Sequence, residues 1–372
     1  MSKGAQSGER FSFLLLAVLL VAGWTGLGSV TYNTGKYQDF LNIYTGARLA
    51  RDGQWAQMHD PALQLRYEQQ VVPDRKVLVP FVRPHAYALL LMPLSALPHG
   101  TAFWVWLGLQ AAIAVAVLWW AARRFGKAAL LGGLAFPGLW IGILFGQDPS
   151  ILLATAAAGW VLAEKGRHRA AGFVWGLGLV KFHLLLGLAA GLLLGRKWKP
   201  LQGFALAGLA LAAIGLLLGG VEGSLVYYRM LTNPNLTGLS PGAEMMTNLQ
   251  ALAANLHLSR WWFYLPAGLA AAACLALALR GGELWRWYGA SMVCGLWLAP
   301  HIYAYDASIL LPAFWLGMTE SRSRWPLVAA ALYLAPVAIW FNLAGPPWSM
   351  ANSALLLHYL VSLGLTANRR ES

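Results

Sequence analysis

Runs of apolar residues long enough to cross a lipid bilayer recur along the chain from Phe11 to Thr366. A helix needs about 20 such residues to cross roughly 30 Å of hydrocarbon. Of the 372 residues, 58% are hydrophobic and 11% are charged, which leaves too little polar surface for a soluble protein. The sequence therefore predicts an all-α polytopic membrane protein with about 12 transmembrane helices in a single domain over residues 1–372. The predicted spans are 11–31, 100–122, 128–145, 149–163, 170–180, 182–195, 200–220, 261–279, 285–300, 305–319, 325–341 and 350–366.

The net charge of +13 follows the membrane topology. Basic residues gather beside alternate ends of the predicted spans, and the positive-inside rule places such flanks in the cytoplasm together with both termini. We read Phe11–Val30 as a retained first span and not as a cleaved signal peptide. This topology accounts for the charge without a nucleic-acid partner. The flanks are Lys3 and Arg10, Arg123–Lys127, Lys165–Arg169, Arg196–Lys199, Arg280 and Arg286, Arg322 and Arg324, and Arg369–Arg370.

Residues 32–99 form the longest soluble-looking stretch, and the topology places them on the outer side of the membrane. Within this loop, His85–Pro98 would reach only about 20 Å as a helix, too short to cross comfortably. We predict juxtamembrane or re-entrant helices here, and whether 84–98 crosses the membrane stays open. Two further short helices are predicted to meet at Lys181–His183, as broken helices do where they line a cavity.

Polar residues that a membrane tolerates poorly fall at the outer ends of the predicted spans. An ionisable side chain at membrane depth is expensive, and so it is a functional candidate. Channels and transporters place such residues nearer the midplane, so this arrangement favours an enzyme cavity at the outer face. The residues are Asp39, Arg83, His85, Gln147, Asp148, Lys181, His183, Asn248, His301, Tyr303, Tyr305 and Asp306.

Each of these residues also has a structural interpretation. Asp39 precedes an amphipathic stretch, and Asp148 and Asp306 each precede an apolar run, so all three carboxylates suit helix N-termini. Lys181 suits an aliphatic chain that reaches to the interface. His301 suits a structural hydrogen bond. The two cysteines, Cys274 and Cys294, lie in apolar runs and indicate neither a disulfide framework nor a metal site.

The order of these features resembles glycosyltransferase family 87, whose members have the GT-C fold. The similarity covers most of the chain, although each motif is short. Where the family usually has Tyr-Pro-Pro or Phe-Pro-Pro, this chain has Val82–Arg83–Pro84–His85. The matching pieces are Asp39–Phe40 with Tyr44, Ala47, Leu49 and Gly53; Arg83–Pro84 with Leu89, Leu90 and Pro93–Leu94; Gly146–Gln147; and Ala171–Gly172 with Lys181 and Arg196–Trp198.

This resemblance implies transfer of a hexose, with mannose expected, from a polyprenyl monophosphate to a lipid or glycan acceptor at the periplasmic face of a bacterial inner membrane. Asp39 is then the general base of an inverting reaction. The donor phosphate is assigned to Lys181, Arg83 and His301. The sugar and acceptor are assigned to Gln147, Asn248, Tyr303 and His85. We expect no cofactor and no metal, because side chains can neutralise a monophosphate.

Two other classes of function remain open at this point. A transporter or flippase of lipid-linked intermediates would share the predicted spans, but it should show more polar residues near the midplane. A ligase that transfers a lipid-linked glycan would handle a pyrophosphate and should show a larger cationic loop. The identity of the sugar and of the acceptor, the polyprenyl chain length and the oligomeric state cannot be read from these residues.

Overall fold

The computed structural model describes residues 38–233, 246–258, 260–280, 283–320 and 354–363. All regular structure in these ranges is helical, which confirms the all-α prediction. The predicted spans 11–31 and 325–341 lie outside the described residues. The α-helices are α1 (Gln38–Arg51), α2 (Pro61–Gln69), α3 (His85–Leu91), α4 (His99–Phe125), α5 (Lys127–Ala135), α6 (Pro137–Leu144), α7 (Pro149–Glu164), α8 (His168–Leu177), α9 (Phe182–Leu194), α10 (Trp198–Leu231), α11 (Leu249–Asn255), α12 (Arg260–Arg280), α13 (Leu284–Leu298), α14 (Leu311–Glu320) and α15 (Ala354–Leu363). The described ranges also contain three 3₁₀ segments, Met92–Ala96, Gly178–Lys181 and Ala304–Leu310.

Three helical stretches among the described residues are long and apolar enough to cross a membrane, namely His99–Phe125, His168–Leu194 and Trp198–Leu231. The pair α5 and α6, bent by 50° just before Pro137, would make a fourth. The bend follows from proline, which disfavours helical geometry in the residue before it. The other apolar helices have 10–17 residues, so helix length in the described ranges does not support a count of about 12 spans.

The stretch His168–Leu194 reverses direction at Lys181, where φ is −119° and ψ is 64°. A Cβ added to Gly172 would clash with the backbone of Pro200, so these two residues are in contact. A straight helix would place Leu194 about 33 Å from Gly172. The six residues from Leu194 to Pro200 can span only about 21 Å. The chain therefore forms two short helices that meet at Lys181, as the sequence predicts.

This reversal brings the basic flanks of several helices to one end of the molecule. Arg124 pairs with Glu164 at 3.4 Å, between the ends of α4 and α7. Arg169 Nε donates to Gln202 Oε1 at 2.9 Å, between the starts of α8 and α10. Lys197 Nζ lies 6.0 Å from the centre of the Trp287 ring, near the start of α13. Lys181 follows the opposite end of α8, so Lys181 and these basic flanks lie at opposite ends of this helix.

Residues 38–98, most of the predicted outer loop, fold as a compact set of short helices. Helices α1, α2 and α3 and the 3₁₀ turn Met92–Ala96 share a small apolar core with the start of α4. Its members include Phe40, Phe81, Tyr87 and Trp106, each at most 2% exposed. Helix α3 and the 3₁₀ turn after it, His85–Ala96, together cover only 12 residues. This length agrees with the predicted juxtamembrane or re-entrant element.

Candidate active site

Asp148 is the centre of a buried polar cluster. Arg83 donates to both of its carboxylate oxygens, from Nε and from Nη2, each at 3.2 Å. Lys181 Nζ lies 2.8 Å from Oδ1. The Tyr87 hydroxyl donates to Oδ2 at 2.9 Å. Asp148 precedes α7, but its side chain makes no capping hydrogen bond, so the capping interpretation was wrong. Burial by itself would raise the pKa of Asp148, but Arg83 and Lys181 hold the pKa well below its usual range.

Tyr87 is the member of this cluster that sequence reasoning missed. It follows Arg83 by four residues, and both side chains turn toward Asp148. Spacing by four places two side chains on one face of a helix, and this spacing was the available signal. Because α3 begins only at His85, Arg83 lies just before the helix and the pattern is incomplete.

Lys181 joins Asp148 to the second buried carboxylate of the cluster, Asp306. Its Nζ lies 2.9 Å from Asp306 Oδ1 and 3.4 Å from Gln147 Oε1. An ammonium has three N–H donors, and these contacts with the one to Asp148 engage all three. Asp306 Oδ2 accepts the Tyr303 backbone N–H at 3.0 Å, which confirms the capping interpretation for this residue.

Side-chain hydrogen bonds to the backbone of residues 81–83 hold the segment that carries Arg83 in place. The Gln64 amide accepts from the Phe81 N–H at 2.8 Å and donates to the Phe81 carbonyl at 3.1 Å, as a neighbouring β-strand would. The Tyr227 hydroxyl donates to the carbonyl oxygen of Val82 at 3.1 Å. A ring nitrogen of His59 bonds the Arg83 carbonyl oxygen at 2.8 Å. These groups fix the segment before α3, and the His59 ring has a structural role there.

Asp39 lies in the first turn of α1, at the edge of the cluster. Its position follows from contact between Phe40 and Gly146. A Cβ added to Gly146 would lie only 2.5 Å from the Phe40 Cβ. Gly146 has a φ of +80°, which glycine adopts without strain, and its carbonyl accepts from Trp106 Nε1 at 2.9 Å. This packing brings Asp39 beside Gln147, close enough for the amide to interact with the Asp39 carboxyl group.

The three carboxyl groups differ in accessibility and in charge environment. Asp148 and Asp306 are 1% and 2% exposed, whereas Asp39 is only partly buried. Burial raises the pKa of Asp39, and the hydrogen bond to Gln147 and the charges of Lys181 and Arg83 offset part of that rise. A carboxyl group with a raised pKa that a substrate can reach is suited to accept a proton.

Half-buried aromatic rings continue the site on the side of the 3₁₀ segment Ala304–Leu310. The His301 and Tyr303 ring centres are 4.8 Å apart, and those of Tyr303 and Tyr305 are 5.7 Å apart. Lys181 Nζ lies 5.1 Å from the Tyr305 ring centre. Burial lowers the pKa of His301, which favours its neutral form, so this ring can exchange hydrogen bonds but supplies little positive charge.

Two predicted site residues lie outside this cluster. A ring nitrogen of His85 bonds the Trp55 carbonyl oxygen at 3.0 Å, and the ring packs where a Cβ on Gly219 of α10 would lie 2.6 Å away. Asn248 caps α11 by accepting from the backbone N–H of the second residue after it, and it donates to the Ala299 carbonyl at 2.6 Å. Both side chains connect helices, so their assignment to the sugar or acceptor stays a prediction that the geometry does not favour.

The contact between Gly146 and α1 gives a prediction about stability. Gly146→Ala should lower the free energy of unfolding by about 1–3 kcal/mol more than Gly53→Ala, because overpacking is added to backbone strain. Gly53 is the matched control, since its φ is +70° and an added Cβ would meet nothing within 4 Å. Thermal unfolding of both variants in detergent measures the difference. Equal losses would mean that Phe40 yields freely and that Gly146 does not set the place of α1.

Comparison with known proteins gives one match. The family model described as glycosyltransferase family 87 matches residues 81–300, which is more than half of the chain. This segment carries Arg83, Gln147, Asp148, Lys181 and Asn248, whereas Asp39 and Asp306 lie outside it. No curated protein and no solved structure matches the chain.

Proposed function

Because the chain belongs to glycosyltransferase family 87, we propose that it transfers a hexose, with mannose expected, from a polyprenyl monophosphate to an acceptor hydroxyl at the outer face of the inner membrane. One observation supports this site above all. Among the described residues of the cluster, Asp148 and Asp306 are buried in ion pairs with Lys181, and Asp39 is the carboxyl group left partly exposed.

In the proposed reaction the acceptor oxygen attacks C1 of the donor sugar. The bond from C1 to the phosphate oxygen breaks, and its electron pair leaves with the polyprenyl phosphate. Asp39 takes the proton of the attacking hydroxyl, and one such displacement inverts the configuration at C1. We propose no metal in this step, because cationic side chains and hydrogen-bond donors can stabilise the charge on a monophosphate.

The cations near Asp39 are the groups that could bind the donor phosphate. Arg83 and Lys181 are both engaged by Asp148, and Lys181 also by Asp306, so two positive and two negative charges balance. A phosphate that contacted Lys181 would have to replace one of these carboxylates. The assignment of Lys181, Arg83 and His301 to the donor phosphate remains a proposal, and the pairing favours a supporting role for Arg83 and Lys181.

The outer-face orientation gives a labelling prediction. Gln54 lies in the exposed turn after α1, and Arg167 lies exposed among the basic flanks at the other end of the molecule. Cysteines placed at these positions, in a chain with Cys274 and Cys294 replaced, should react from opposite sides. An impermeant maleimide added to intact spheroplasts should label position 54 and leave position 167 unlabelled. Labelling of position 167 alone would invert the proposed orientation.

Release of free polyprenyl phosphate tests the function itself. The purified full-length protein is incubated with polyprenyl-phosphate-[¹⁴C]mannose, or with the glucose donor, and with a lipid extract from a strain that lacks the gene. Transfer should move label from the donor into an acceptor band while polyprenyl phosphate accumulates. Donor that crosses a vesicle membrane unchanged would instead indicate a flippase. Turnover only with a pyrophosphate-linked glycan would indicate a ligase.

A further inference from the structure

The side-chain amide of Gln147 has an orientation that its neighbours determine. Its Oε1 lies 3.2 Å from Arg83 Nη2 and 3.4 Å from Lys181 Nζ, and the residue is 7% exposed. The oxygen and nitrogen of an amide are hard to distinguish by shape alone. Arginine and lysine only donate hydrogen bonds, however, and only the amide oxygen can accept them. The NH₂ group is therefore the end that remains to bond Asp39.

We propose that Gln147 is a positioning residue for Asp39, held by Arg83 and Lys181 so that its NH₂ group donates to the Asp39 carboxylate. This inference rests on the proposed function, in which Asp39 is the general base. Gln147 then links the two cations to the base without being charged itself. The sequence predicts that Gln147 contacts the sugar or acceptor, and the positioning role replaces that direct contact with a substrate.

A neutral link between cations and base has a chemical consequence. Asp148 contacts Arg83 and Lys181 directly, and a carboxylate paired in this way is a weak base. Gln147 stands between the same cations and Asp39, so Asp39 receives one N–H donor in place of an ion pair. The carboxylate is oriented for the acceptor and still retains enough basicity to take a proton at neutral pH.

Other groups also act on the charge of Asp39. Lys181 and Arg83 favour its ionised form, whereas Asp306 disfavours it. The phenols of Tyr303 and Tyr305 lie close enough to interact electrostatically with Asp39. None of these groups is itself substituted when Gln147 is replaced, and Asp148 and Asp306 still pair with Arg83 and Lys181, so a variant at this position acts on Asp39 mainly through the amide.

The pH dependence of transfer tests the proposal. Gln147→Glu keeps an oxygen for Arg83 and Lys181 but places a second carboxyl group against Asp39, and like charges raise a carboxyl pKa. The acid limb of the pH–rate profile should move to higher pH by about one unit or more. Gln147→Met removes the donor without adding a charge and should move the limb by a smaller amount in the same direction. Gln202→Glu, at the exposed end of the molecule beside Arg169, is the matched control and should leave the limb in place.

The substrate-contact role predicts a different result. If Gln147 bonded a sugar hydroxyl, both variants would raise the KM for polyprenyl-phosphate-[¹⁴C]mannose and leave the acid limb where it is in the wild type. That result would overturn the proposal. Should Gln147→Glu fail to accumulate as a folded protein, as judged by thermal unfolding, the profile of Gln147→Met decides alone.

Asp39→Asn separates this proposal from the proposed function. Loss of transfer in Asp39→Asn together with an unmoved limb in the Gln147 variants would reject the positioning role and leave Asp39 as the base. Retained transfer in Asp39→Asn would reject both, since the limb would then belong to another group. Loss of transfer in Asp39→Asn with a shifted limb in Gln147→Glu is the expected result.

Discussion

Asp39→Asn is expected to lower sugar transfer by about 10²–10⁴-fold, the range that general-base catalysis usually contributes. Asparagine keeps the shape of the side chain, and it can still exchange a hydrogen bond with Gln147, but it cannot take the acceptor proton. The variant should therefore fold and bind the polyprenyl-phosphate donor as the wild type does. Initial rates of acceptor labelling and donor binding, measured on the same preparation, check both expectations.

The pH dependence of the wild-type enzyme belongs to the same prediction. Asp39 must be ionised to act as a base, and burial raises its pKa above the usual range of about 4. Transfer should thus be weak at acid pH and should rise as pH increases through the pKa of Asp39. Asp52→Asn, in the exposed turn after α1, is the control and should keep both rate and profile. Near-normal turnover in Asp39→Asn would mean that the base lies elsewhere.

Asp148→Asn is expected to cause the largest loss of stability, about 3–5 kcal/mol in the free energy of unfolding. The change removes one negative charge from a buried cluster, so that Arg83 loses its ion-pair partner and Lys181 keeps only its pair with Asp306 among the described residues. An uncompensated buried charge costs far more than the pair contributes. Thermal or denaturant unfolding in detergent, with near-normal donor binding where the protein remains folded, measures the effect.

An exposed ion pair provides the control for this second prediction. Arg51 and Asp52 form a pair at 3.1 Å with side chains 43% and 34% exposed. Asp52→Asn should change the free energy of unfolding by less than about 1 kcal/mol, because solvent screens such pairs. If Asp148→Asn unfolded like Asp52→Asn but abolished transfer, Asp148 would be part of the chemistry and the supporting role of this carboxylate would be wrong.

Much of the architecture could be predicted from local sequence patterns. The apolar runs indicate a helical membrane protein, and the short elements around Lys181 and in the loop 32–99 appear where the pattern places them. Among the described residues, the basic flanks at Arg124, Arg169 and Lys197 lie at one end, as the charge distribution predicts. The number of spans could not be predicted in the same way. Helix length within the described residues depends on bends and reversals that hydropathy does not reveal.

Membership of the polar cluster was also partly predictable. Asp39, Arg83, Gln147 and Lys181 come together as the sequence analysis expected, since all lie at the same ends of neighbouring helices. His85 and Asn248 are predicted at the same ends of the helices, but their side chains bond other partners. The end of a helix at which a residue lies follows from the topology, whereas the direction of its side chain depends on the neighbours that pack against it.

The sequence by itself therefore determined the class of protein, the separation of the polar cluster from the described basic flanks, and most of the candidate residues of that cluster. Only the tertiary structure decided the surroundings of the carboxyl groups. Asp148 meets Arg83 across 65 positions of sequence, and Lys181 meets Asp306 across 125. The basicity of a carboxylate depends on its burial and on charges a few ångströms away. Those charges come from separate parts of the chain, so no local pattern distinguishes the buried, ion-paired Asp148 from the partly exposed Asp39.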